Sequence, residues 1–104
     1  MPMSVDDVLG RVIERILEHG ETPITAIGAG VLASAHTGYS HDTRSFARKL
    51  DIAHALVIRE CVILADDLGV IALEDRNEKS QRLFFKLTEK GERLISEAMS
   101  REQV

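Results

Sequence analysis

Phe46-Ala47-Arg48-Lys49-Leu50-Asp51-Ile52-Ala53-His54-Ala55-Leu56-Val57-Ile58-Arg59-Glu60-Cys61-Val62-Ile63-Leu64 decides how the whole chain is read. Phe46, Ala47 and Leu50 recur at one- and three-residue steps, which places them on one face of a short helix of about 42–50. Ser40 and Asp42 are alternative caps for it, because each puts a side-chain oxygen near the amides that a helix start leaves unpaired. Asp51-Ile52-Ala53-His54 reads as a tight turn, and Ala55 to Leu68 is helical again until Gly69 stops it.

Downstream, Val70-Ile71-Ala72-Leu73 and Leu83-Phe84-Phe85-Lys86-Leu87 are β-prone runs on either side of the polar stretch Glu74 to Gln81, the pattern of a hairpin. Thr88 then caps a last helix, to about Arg101, carrying Leu94, Ile95 and Met99. Upstream, Ser4 and Asp7 form a capping pair ahead of Val5, Val8, Leu9, Val12, Ile13, Ile16 and Leu17, an amphipathic helix over about 4–18 that ends at His19-Gly20. Thr22-Pro23 is expected to restart a helix with proline in its first turn, and His36-Thr37-Gly38 to close it. Four helices, a hairpin and a helix follow in order. The expected fold is mainly α with a β-hairpin wing, a winged helix-turn-helix, in one domain spanning 1–104, with 4–18, 40–87 and 88–101 as its three parts.

Composition agrees with a single small domain. The chain has 104 residues, 44% apolar and 29% charged, which is ordinary for a folded core. Thirteen basic and 17 acidic side chains leave a net charge of −4, which excludes a uniformly basic nucleic-acid coat protein. The charge is uneven, however. Residues 40–59 hold Arg44, Arg48, Lys49 and Arg59 against Asp42 and Asp51, so the middle is locally basic while the flanks are acidic. One cysteine, Cys61, makes neither an internal disulfide nor a zinc cage. With no signal-like segment and no apolar run near the roughly 18 residues of a bilayer span, a cytoplasmic location without membrane association is expected.

The stretch Phe46 to Ile52 resembles the first half of the helix-turn-helix of MarR-type transcriptional regulators. The resemblance continues through Val57, Leu64 and Leu68-Gly69-Val70-Ile71, and through Glu74-Asp75-Arg76-Asn77-Glu78-Lys79-Ser80-Gln81-Arg82 into Leu87-Thr88-Glu89-Lys90-Gly91, a charged wing running into a helix start as in MarR and PadR-like families. It covers about residues 30–96. It implies a regulator that binds double-stranded DNA as a homodimer, with terminal helices building the two-fold. The first helix, rich in aliphatic residues on one stripe, is the candidate dimer surface.

The resemblance and the physics of helix termini together point to the contact residues. Helix N-termini favour phosphate, and a recognition helix meets base edges through its first residues. Thr43, Arg44, Ser45, Arg48 and Lys49 belong to the short helix, His54 and Arg59 to the recognition helix, and Arg76, Lys79 and Arg82 to the wing. The recognition helix is apolar nearly all round, with only His54 and Arg59 suited to base readout, so a winged helix that docks a protein through this helix is the alternative.

Other signals carry less. Gly28-Ala29-Gly30-Val31-Leu32-Ala33 matches the letters of a dinucleotide fingerprint, but no parallel strand–helix–strand unit surrounds it, so close helix packing explains it better. His19, His36, His41, His54 and Cys61 match no metal-ligand spacing. Ser34 and His36 lie two apart, on different sides of a helix, and no nucleophile stands at a useful distance from a base. No enzyme activity and no cofactor are expected.

Overall fold

The computed structural model describes residues 4–19, 23–76, 79 and 81–100. The expected features at Gly20, Thr22, Asn77, Glu78, Ser80 and Arg101 lie outside the described residues. Among these residues, five α-helices and one two-stranded antiparallel sheet follow the expected order: α1 (Val5–His19), α2 (Ala26–Thr37), α3 (Thr43–Leu50), α4 (His54–Val62), β1 (Ile71–Asp75), β2 (Leu83–Leu87) and α5 (Glu89–Ser100). The protein is therefore mainly helical with a β-hairpin.

Helix α1 starts at the capping pair. Asp7 N donates to Ser4 Oγ at 3.2 Å, and Ser4 N donates to Asp7 Oδ2 at 3.4 Å. Its apolar stripe is spent on the chain's own core: Leu9, Val12 and Ile16 are buried, and α1 packs against α2 and α5. Among the described residues, most of the stripe read as a dimer surface is thus internal, while Leu17 is 46% exposed.

Helix α2 begins later than expected. Thr25 caps it by accepting from Gly28 N at 3.0 Å, and Pro23 stays exposed ahead of the helix rather than within its first turn. From Gly28 to Ser34 every residue is buried, so α2 is the central helix. Its glycines are packing devices. A Cβ on Gly30 would lie 3.0 Å from Phe46 Cζ, and one on Gly28 would lie 3.5 Å from Leu64 Cδ2. Small residues here let α3 and the turn that follows α4 approach α2 closely, which accounts for the fingerprint-like letters without a nucleotide.

Asp42 rather than Ser40 caps α3, accepting from Ser45 N at 2.8 Å. At its other end Asp51 adopts the left-handed conformation (φ 54°), and Ile52 N donates to Ala47 O at 2.9 Å, closing the corner into α4. The second helix is not the continuous 55–68 segment expected. After Val62 it widens into a π-helical turn, Ile63–Asp67. Leu68 N donates to Ile63 O, and Leu64 O instead accepts from Val70 N at 3.0 Å. No proline or glycine lies within the turn. Capture of the Leu64 carbonyl from beyond the helix, with the Leu64 side chain packed by Gly28, explains it.

The hairpin pairs Ile71 with Leu87, Leu73 with Phe85 and Asp75 with Leu83. Ile71 and Phe85 turn into the core beside Val57, Leu64 and Ile95. Glu74 and Asp75, expected in the loop, extend β1. An isolated bridge joins Asp42 to Phe84, and Phe85 N donates to His41 O at 2.9 Å, so the start of α3 is tied directly to β2. Thr88 caps α5 through Gly91 N at 3.1 Å and also donates to Gly69 O at 2.7 Å.

Candidate nucleic-acid interface

The corner between α3 and α4 is where the expected contact residues converge. Arg44 and Arg48 are four apart on α3 and share a face, His54 opens α4, and Arg82 immediately precedes β2. Because the bridge at Asp42 holds β2 against the start of α3, all four line one groove of about 460 Å³, floored by Ala47 and Ile52. Asp51 is the acid in its wall. Arg82 Nε lies 3.7 Å from Asp42 Oδ1, which aims that side chain along the groove margin. No side chain caps the first turn of α4, so its amide end opens beside these cations.

Thr43 and His54 form the brace beneath this groove. The Thr43 hydroxyl accepts from Leu83 N at 3.0 Å and lies 2.8 Å from His54 Nε2. A neutral imidazole accepts the hydroxyl proton, and an imidazolium donates to the oxygen, so the contact survives either charge state. Burial, then the charge of Arg44, holds the His54 pKa below its ordinary value, with Asp42 opposing them. Thr43 itself is fully buried. Its expected role as a contact residue is corrected on that ground: both its bonds face inward.

The remaining expected residues are dispersed. Ser45 Oγ lies 2.6 Å from Ser40 Oγ and donates to Asp42 Oδ2 at 2.9 Å, a network that secures the cap of α3. Lys49 Nζ donates to Tyr39 O at 2.6 Å and sits 4.6 Å from the centre of the Tyr39 ring, bracing the loop before α3. Arg76 lies in a different depression, of about 530 Å³, on the outer face of the hairpin. There its guanidinium stacks 3.9 Å from the Phe84 ring centre and pairs with Glu74 at 3.4 Å, beside His41 and Lys86. Lys79 is exposed near the hairpin tip. Phe84 and Lys86 were not among the expected contact residues, although their two-residue spacing puts both on one face of a strand.

Helix α4 inverts the usual polarity. Glu60 is buried with Val57 and Cys61, whereas Leu56, Val62 and Ile63 are 40%, 39% and 38% exposed around the exposed Arg59. The helix is apolar on its outer face as well as its inner one, as its sequence foretold, but its buried acid was not foreseen. Cys61 is fully buried, and its thiol is pushed up to about 12 by burial and by Glu60, which leaves it unreactive.

Among the described residues there is no cluster of three or more histidine, cysteine or acidic side chains placed to hold a metal ion, and no helix long and apolar enough to cross a membrane. No protein-family model, no curated protein and no solved structure matches this chain.

Proposed function

We propose that the chain is a winged helix-turn-helix module that binds double-stranded DNA as a homodimer and regulates transcription. The observation that carries this is the convergence of Arg44, Arg48 and Arg82 around the uncapped start of α4. Guanidinium groups are suited to phosphate oxygens, and a helix amide end adds to the same field. The order α3, tight turn, α4, hairpin supports the fold assignment, as does the tie between the start of α3 and β2. Phosphate contacts supply most of the affinity in this reading. Base readout is modest and falls to Arg59, the polar side chain exposed on the outer face of α4 between Leu56 and Val62.

One observation favours a second reading. Leu56, Val62 and Ile63 give α4 an apolar outer face of the kind that docks a protein. In vitro selection of the purified protein against a random duplex pool, at low and then physiological salt, separates the two. A two-fold symmetric motif that is lost as salt rises supports the dimeric DNA-binding reading. No enrichment at either salt rejects it and favours protein docking.

A further inference from the structure

We infer that the groove between α3 and α4 binds a DNA phosphate and a proton together, with His54 as the proton acceptor, so that DNA affinity rises as pH falls. This rests on the DNA-binding reading and adds its regulation. The geometry places the imidazole in the wall of the groove, with Nε2 held 2.8 Å from the Thr43 hydroxyl. That bond fixes the ring whichever charge it carries. Among the described residues, the charged groups facing it are Arg44 and Arg48 from α3, Arg82 from the approach to β2, Asp42 at the α3 cap and Asp51 in the turn. Burial of the ring, then the charge of Arg44, disfavours a positive charge on His54 while the groove is empty, with Asp42 opposing them.

A phosphate diester seated among these arginines reverses the balance. Its negative charge favours the imidazolium, and binding therefore takes up a proton at His54. Linkage makes the effect reciprocal: whatever phosphate does to the His54 pKa, protonation does to phosphate affinity. His19 is on α1, and His36 and His41 line other depressions, so the other histidines do not border this groove. The coupling is therefore specific to one side chain.

The test uses the full chain and a fluorescein-labelled mixed-sequence duplex at low salt, with anisotropy measured from about pH 5 to about pH 8. It compares the wild-type protein with His54→Gln, whose amide keeps a partner for Thr43. NMR follows the titration of the His54 ring proton in the wild type, with and without duplex. The expected result is wild-type affinity that rises by up to about tenfold per pH unit on acidification through the His54 titration. His54→Gln binds with a flatter profile, and the His54 titration moves to higher pH when duplex is present. If both proteins bind with the same pH profile and His54 titrates alike free and bound, proton coupling is overturned while DNA binding stands. If neither protein binds at any pH, the DNA-binding reading falls and the inference falls with it.

Discussion

The Thr43 hydroxyl, fully buried, joins His54 Nε2 at 2.8 Å to the backbone amide of Leu83 at 3.0 Å. One oxygen thus links the starts of α3, α4 and β2. Replacing it with an isosteric methyl removes both bonds and leaves the Leu83 amide without its acceptor. Thr43→Val is expected to lose about 1–3 kcal/mol of stability in urea denaturation, with Thr43→Ser retaining most of it. Equal midpoints for Thr43→Val and wild type would show that the hydroxyl contributes nothing.

The surroundings of His54 give the free protein a pH dependence. Burial and Arg44 lower the folded-state pKa of His54, so the unfolded chain takes up that proton first as pH falls. More protons bound in the unfolded state mean that stability rises with pH, and so declines on acidification. The His54 contribution is expected to begin declining near its unfolded pKa, about 6.5, and to level off below the folded one. Urea midpoints of wild type minus His54→Gln, measured across that range, isolate it; a difference independent of pH counts against it.

Arg48 lies in the α3–α4 groove, and Arg76 stacks on Phe84 in another depression. Each phosphate contact contributes about 0.9 to the slope of log affinity against log salt. Arg48→Ala is expected to reduce that slope by about one contact. Arg76→Ala is expected to change it less, because that side chain stands outside the groove, stacked on Phe84 and paired with Glu74. Anisotropy titrations at several salt concentrations check both, and the reverse ranking would move the phosphate site to the hairpin.

Gly91 passes directly over the Val70 carbonyl, where a Cβ would collide with backbone. That carbonyl accepts from Thr88 N at 3.1 Å, so it is held in place. Gly91→Ala is expected to destabilise by about 1–3 kcal/mol despite alanine's better helix propensity. Thermal unfolding followed by circular dichroism reads this, and an unchanged or raised midpoint would mean that α5 shifts freely.

Local chemistry made much of this legible from the chain. The Ser4–Asp7 pair and the Gly38 stop act over a few residues and stand where the spacing put them, Asp42 is one of the two caps offered for α3, and the two β-prone runs pair as a hairpin with β1 extended to Asp75. Arg44 and Arg48 on one face also follow from helical period alone. Thr25 was missed because Pro23 offered a competing start, and the hydroxyl nearer the buried segment capped the helix instead.

By itself the sequence determined the element order, the caps of α1 and α5 and the cationic character of residues 40–59, because periodicity, capping and charge are properties of neighbours along the chain. Tertiary structure decided which cations share a site. The Asp42–Phe84 bridge brings Arg82 to Arg44 and Arg48 across some forty residues, while Arg76, only six positions away from Arg82, faces another depression. It also decided that Thr43 and Glu60 are inside while Leu56 and Ile63 are outside, since burial depends on what packs against a helix and not on its own pattern.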